Sequence, residues 1–280
     1  MKKNARRRRK STPSQAAQAD RHELYEHSVQ CAEAEIDFVD LTFKQLRKRK
    51  AQVLREDFCG TANVCCEWVR RGKKRHAIGI DLDSEVLDWG RTHNLAKLND
   101  AQRRRITLLQ EDVLEAVTEP PDIVSAMNFS YWLLQDRKLL KQYFQSVWRA
   151  LKDDGIFFLD AYGGYDSHKE IIEEREIDDG DQGFTYIWEQ AEFNAVTCEQ
   201  KCHIHFKFKD GSKLKRAFSY VWRIWGAKEL REVLSDAGFR KTTLYLQAFD
   251  EETDEPLDEY IPTDEAGDYA CWLGYIVAEK

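Results

Sequence analysis

A chain of 280 residues with a net charge of −7 is long enough to bury one full α/β-sized core, and its mild acidity argues against holding nucleic acid through an overall field. No run of 18 apolar residues is present, which excludes a helical membrane span, and the basic start is not followed by the apolar stretch of a secretory signal. Seven cysteines, an odd number with no short-spaced framework, fit reduced thiols and a cytoplasmic protein.

Residues 1–20 open on a Lys/Arg run that includes Arg6-Arg7-Arg8-Arg9 and continue rich in Ser, Gln and Ala. So polar a stretch cannot offset its ordering entropy and reads as a disordered tail. Nucleic-acid contact is expected only through this tail, since such a run attracts phosphates. From 21 to 50, apolar residues recur at helical spacing (Leu24, Tyr25, Val29, Ile36, Val39, Phe43), which predicts helical segments packed beside a core.

A strand and helix alternation fills residues 51–162. A first strand over Gln52 to Arg55 stops at the turn Glu56-Asp57-Phe58-Cys59-Gly60-Thr61-Ala62, and a helix runs from there to Gly72. The second strand, His76 to Ile80, ends at Asp81, and the next helix has Asp83 or Ser84 as its N-cap. A third strand, Ile106 to Leu109, precedes Asp112, and a fourth, Ile123 to Met127, ends at Asn128. The helix from Leu139 to Leu151 carries Leu140, Tyr143, Phe144 and Val147 on one stripe, and the fifth strand, Ile156 to Leu159, ends at Asp160. Near-continuous apolar strands between amphipathic helices predict a parallel sheet covered on both faces.

Over residues 163–225 the period falls to two, in Phe184 to Trp188 and in Cys202 to Phe208, which predicts an antiparallel insertion. Residues 226–280 return to the core with a helix capped by Gly238, a strand over Lys241 to Phe249, an acidic loop, and a last strand over Cys271 to Ala278.

In open α/β sheets the ligand lies beyond the C-terminal strand ends. Those ends here hold the turn from Glu56 to Ala62, Asp81, Asp112, Asn128 and Asp160. Asp81 falls about 20 residues past the turn, the offset at which an acidic side chain meets a ribose diol. Asp112 is then placed to accept from an adenine amine.

These residues resemble the class I S-adenosylmethionine-dependent methyltransferases of small molecules. Glu56-Asp57-Phe58-Cys59-Gly60-Thr61-Ala62 is similar to the methionine-side turn, Gly79-Ile80-Asp81-Leu82-Asp83 to the ribose segment, Glu111-Asp112-Val113 to the adenine segment, and Leu151-Lys152-Asp153-Asp154-Gly155 to the turn before strand five. The resemblance implies a Rossmann-like, seven-stranded, mostly parallel sheet with helices on both faces and an antiparallel insertion between strands five and six. It implies S-adenosyl-L-methionine as cofactor, held by Arg55, Glu56, Cys59, Gly60, Thr61, Ala62, Asp81, Leu82, Asp112, Val113 and Asn128. The family's three-glycine turn is reduced to Gly60, with Phe58 and Ala62 at the other two places; Arg55 could pair the cofactor carboxylate or simply an adjacent acid. Dinucleotide dehydrogenases share the ribose acid, but a one-glycine turn suits a pyrophosphate poorly.

Methyl transfer to N or O of a small or medium-sized polar acceptor is the function so implied. A non-catalytic module of the same fold, acting with RNA or a protein partner, is the alternative that the missing glycines leave open. Tyr131, Tyr162, Trp188, His205 and Trp222 are the candidates for the acceptor site, with Tyr220 and Trp225 as further aromatic wall. A hydroxyl acceptor would need a base, for which His203, His205, Asp160 and Tyr162 stand available. Strand alternation sends Cys202 and His203 to opposite faces, and Asn128 replaces the acid that a magnesium site would use, so no metal is expected.

Overall fold

The computed structural model of the chain describes residues 13–178, 180, 183–249 and 256–280. Helices α1 (Gln15–Gln18), α2 (Arg21–Ser28) and α3 (Ala32–Arg47) precede strand β1 (Val53–Asp57). There follow α4 (Asn63–Arg70), β2 (His76–Asp81), α5 (Ser84–His93), α6 (Asp100–Arg103), β3 (Ile106–Gln110), β4 (Ile123–Ala126), α7 (Arg137–Ala150) and β5 (Ile156–Gly163). Strands β6 (Ile171–Ile177), β7 (Phe184–Asn194), β8 (Glu199–Phe208) and β9 (Lys213–Arg223) build a separate antiparallel sheet in that order. Helix α8 (Ala227–Ala237) and strands β10 (Lys241–Phe249), β11 (Pro256–Thr263) and β12 (Trp272–Glu279) complete the first sheet.

The large sheet runs β11-β10-β12-β5-β4-β1-β2-β3, with β5 to β3 parallel and β12 antiparallel to both β5 and β10. It has eight strands, one more than the resemblance implies; the addition is β11, an antiparallel edge strand in the stretch read as an acidic loop. Acidic residues hide its alternation, but Tyr260 packs inward on Tyr275 and Phe38, with ring centroids 4.7 and 5.3 Å apart.

One face of the sheet is covered by α7 and α8 through Leu140, Tyr143, Phe144, Leu230 and Val233, the other by α3 and α4 through Ile36, Val39, Phe43, Trp68 and Val69. Each such side chain contributes about 1.5–3 kcal/mol by leaving water. Because β2 and β3 extend to one side of β1 while β4 and β5 extend to the other, the chain reverses direction between β1 and β4. A crevice therefore opens at the C-terminal ends of those two strands.

Residues 13–20 are ordered, contrary to the expectation from their composition. The backbone N–H of Gln15 donates to the Asp210 carboxylate (2.8 Å) and that of Ala16 to the Ser212 hydroxyl (3.0 Å), so the turn between β8 and β9 supplies partners that the segment lacks by itself. Asp20 caps α2 and accepts from the Trp89 indole (2.6 Å). The arginine run lies outside the described residues.

Candidate active site

The turn after β1 takes a left-handed backbone at every second residue: Phe58 (φ +59°), Gly60 (φ +51°) and Ala62 (φ +57°). Two of these are not glycine, at a cost of about 1–2 kcal/mol each. The left-handed turn is thus formed with one glycine at its three left-handed positions, because the surroundings hold it. The N–H of Cys59 donates to Ile80 O (2.9 Å), that of Ala62 to Cys59 O (2.8 Å), and that of Gly60 to the Asp81 carboxylate (2.8 Å). The Phe58 ring packs edge-on against Tyr143, centroids 5.6 Å apart, while still bordering the crevice.

Helix α5 presses on the turn from the other side. A Cβ on Gly90 would stand 2.4 Å from Thr61 O, so only glycine allows this approach. Asn94 at the end of α5 donates to Thr61 O (3.1 Å) and to Glu26 (2.6 Å), and the Thr61 hydroxyl donates to the same Glu26 oxygen (2.5 Å). One carboxylate thereby ties α2 to both the turn and α5.

Above the turn lies a cavity of about 590 Å³. Cys59, Gly60, Thr61, Asp81 and Asn128 line it, and a Cβ on Gly60 would meet nothing within 4 Å, so bare backbone faces the open space. Its roof comes from His22 and Tyr25 of α2 and from Phe218 and Tyr220 of β9, with Val86 and Leu133 as apolar walls. Phe218 packs on His22 and Tyr25 (5.8 and 5.0 Å), which joins the second sheet to α2 over the cavity.

A smaller cavity of about 280 Å³ adjoins the first and shares Tyr25, Asn128 and Tyr220 with it. Its walls are Phe129, Tyr162, Tyr186, Trp188 and Trp222. Tyr220 stacks on Trp222 at 4.7 Å, and Trp188 lies tilted against Trp222 at 5.7 Å. Asn128 reaches both cavities because it and Phe129 are left-handed (φ +56° and +55°), a conformation fixed by the Asp160 carboxylate, which accepts from both backbone N–H groups (2.6 and 3.0 Å).

The remaining sequence candidates lie elsewhere. Arg55 is fully buried under the sheet, where it pairs with Asp57 (2.6 Å) and donates to Val113 O; strand alternation points it away from the crevice. Glu56 turns into the start of α4 and accepts from the Cys65 N–H (3.1 Å). Ala62 is buried beneath the turn, Leu82 is exposed, and neither these nor Asp112 and Val113 line the cavity. Tyr131 is a core residue whose hydroxyl donates to Asp160 O (2.6 Å). His205 sits on the far face of the second sheet against Glu189 (2.8 Å), and Trp225 is buried under the Arg223 guanidinium, 3.7 Å from the ring centroid. Sequence reading missed His22, Glu26 and Phe218. For His22 and Glu26 the signal was an aromatic, charged helical stretch ahead of the crevice-forming strand β1, with α3 between them.

Burial raises the buried acids around the crevice. It pushes Asp81 up, opposed by the N–H groups of Asp83 and Gly60, and pushes Glu56 and Asp160 each up to about 8. Among the described residues no three His, Cys, Asp or Glu side chains gather as a metal site.

A family model described as "Methyltransferase domain" matches residues 57–159, the stretch that holds the turn and the ends of β2 and β4. The fold is that of the class I S-adenosylmethionine-dependent methyltransferases. YqeM, a methyltransferase candidate of Bacillus subtilis (strain 168), is 27% identical over 188 residues, 65% of this chain and 71% of that one. Among solved structures, DesVI of Streptomyces venezuelae superposes with a TM-score of 0.66 at 14% identity, covering 92% of this chain and 95% of that one. S-adenosylmethionine-bound CalS10 of Micromonospora echinaspora, an amino pentose methyltransferase, also gives 0.66, at 12% identity with 92% and 95% covered.

The lining of the larger cavity is chemically suited to S-adenosylmethionine. Asp81 would offer carboxylate oxygens to a ribose there, the open backbone at Gly60 would admit close approach, and Val86 with Leu133 would wall a flat base.

Proposed function

We propose that the protein methylates N or O of a small polar acceptor, with S-adenosylmethionine in the larger cavity and the acceptor in the smaller, aromatic one. The observation that carries this reading is the seam: two adjoining cavities, one with a ribose acid and an open turn, the other ringed by aromatics, share Tyr25, Asn128 and Tyr220.

Bound there, the cofactor supplies a methyl group on a positively charged sulfur. The chain's work is to position and to exclude water. Asp81 and the Gly60 backbone hold the nucleoside side, and Asn128, fixed by Asp160, presents its amide at the seam. Helix α2, tied down through Glu26, closes the roof with Tyr25, whose hydroxyl is hydrogen bonded to that of Tyr220. The acceptor enters against Trp188 and Trp222, which shield it from bulk water.

Calorimetry of the full chain with S-adenosylmethionine tests the reading. Binding in the micromolar range, usual for enzyme ligands at roughly 1 μM to 1 mM, is expected; a wild-type protein that binds neither S-adenosylmethionine nor S-adenosylhomocysteine would overturn it.

A further inference from the structure

We infer that the aromatic cavity selects an amine-bearing acceptor over phenols, alcohols and acids of the same size. The inference rests on the methyltransferase reading and assigns the substrate class of that same site.

The first ground is charge. The described residues lining the cavity include one carboxylate, Glu173 at the exposed rim, and no Lys, Arg or His. An anionic acceptor would find no counter-charge among the cavity's own side chains. The Arg175 guanidinium lies 5.5 Å from the Tyr186 ring, donates to Ser28 O, and does not line the cavity. The faces of Trp188, Trp222 and Tyr220 carry the negative side of their quadrupoles, which attracts a cationic nitrogen and repels an anionic oxygen.

The second ground is that no histidine lines the cavity and its one carboxylate, Glu173, stands at the exposed rim, while His22 lines the larger cavity instead. A hydroxyl must lose its proton to something close by as it takes a methyl group. His203 is half-buried and bonded to Ser219 (2.8 Å), and His205 is held by Glu189; neither lines the cavity. Asp160 is committed to the N–H groups of Asn128 and Phe129. Tyr162 does line the cavity, but its hydroxyl donates to Gln200 (2.9 Å) and burial raises it, as burial raises Tyr186, Tyr220 and Cys271. An amine bound as its cation first releases one proton to water, which leaves a lone pair on its own nitrogen. The new N–C bond forms from that pair as the methyl–sulfur bond breaks and its electrons stay on sulfur; the nitrogen, now positive, sheds a proton to water. The positive charge thus arrives on nitrogen amid the aromatic faces, with Glu173 at the mouth.

The test uses the full chain saturated with S-adenosylhomocysteine, so that no turnover occurs. Tryptophan fluorescence and calorimetry follow three probes of one shape at neutral pH: benzylamine, benzyl alcohol and benzoate. Benzylamine is expected to bind about tenfold more tightly than benzyl alcohol, the scale of a desolvated cation–π contact, with benzoate weakest. Glu173→Gln, at an exposed position, is expected to weaken benzylamine about threefold and leave benzyl alcohol unchanged. Trp188→Leu should cut benzylamine about tenfold with unchanged circular dichroism. Equal or tighter binding of the alcohol or the acid, or an order untouched by both substitutions, overturns the inference. If S-adenosylhomocysteine binds in the same sample, that failure leaves the methyltransferase reading standing. If it does not bind, both fall together.

Discussion

Asp81→Asn separates the two duties that the end of β2 performs. One carboxylate oxygen accepts from the Gly60 N–H (2.8 Å) and the other from the Asp83 N–H (2.9 Å), so the side chain both pins the turn and faces the cavity. An amide keeps one acceptor and turns an NH2 group toward the other N–H. A hydrogen bond to a charged group is worth about 1.5–3 kcal/mol, and one of the two is lost. The fold should therefore lose about that amount, measured as a shift of the urea midpoint without a change in slope. Cofactor affinity should fall further, because the ribose loses its charged acceptor: a second loss of about 1.5–3 kcal/mol weakens S-adenosylmethionine binding by about 10- to 150-fold in calorimetry. Asp83→Asn is the control. It borders the same cavity but caps α5 by accepting from the N–H groups of Glu85 and Val86, so it should cost about 1 kcal/mol of stability or less and leave affinity nearly intact. If Asp81→Asn binds the cofactor within about threefold of wild type, the assignment of Asp81 as the ribose acid is wrong.

Gly90→Ala places a Cβ 2.4 Å from Thr61 O, which α5 can relieve only by pushing the turn. Stability should fall by about 1–3 kcal/mol, and cofactor affinity should fall with it; a variant with wild-type affinity would show that the turn is not set by this contact. Ala62→Gly removes the penalty of a left-handed alanine, about 1–2 kcal/mol, against about 0.5–1 kcal/mol of added chain entropy and about 0.8 kcal/mol for the lost methyl. Its melting temperature should stay near wild type, whereas Ala62→Val, β-branched in the same conformation, should melt clearly lower. Glu56 is pushed by burial up to about 8 from an ordinary 4.5, so its contribution is complete below pH 4.5 and is lost as pH rises through 8. That loss is of order 4 kcal/mol in the unfolding free energy, and Glu56→Gln should flatten the decline; superimposable pH profiles would contradict the buried-acid account.

Much of the core was legible because its periodicities are local properties. Leu140, Tyr143, Phe144 and Val147 stand on one stripe of α7 whatever lies opposite, and the apolar runs of β1, β2, β4 and β5 leave few alternatives to buried parallel strands. Strand β11 escaped notice because acidic side chains outweigh its alternation, and its place in the sheet depends on Phe38 and Tyr275, far away in sequence. The ordered start of the chain escaped for a similar reason. Residues 13–20 have too little apolar surface to fold by themselves, and Asp210 and Ser212 provide their partners only after the second sheet has formed.

For the site, the sequence by itself fixed which strand ends would surround the ligand. The order of the turn, Asp81 and Asn128 along the chain follows from the alternation of strands and helices, and that alternation is written residue by residue. It could not say which way each side chain points at those ends. Arg55 and Glu56 look equivalent in the sequence, yet one is driven under the sheet to Asp57 and the other into the start of α4, since successive residues of a strand face opposite sides. The turn shows the same division of labour. Phe58 and Ala62 mark a departure from the three-glycine pattern, but only the packing of Tyr143, α5 and Glu26 around them decides that the left-handed turn survives, because its strain of a few kcal/mol is balanced by contacts made across the whole fold.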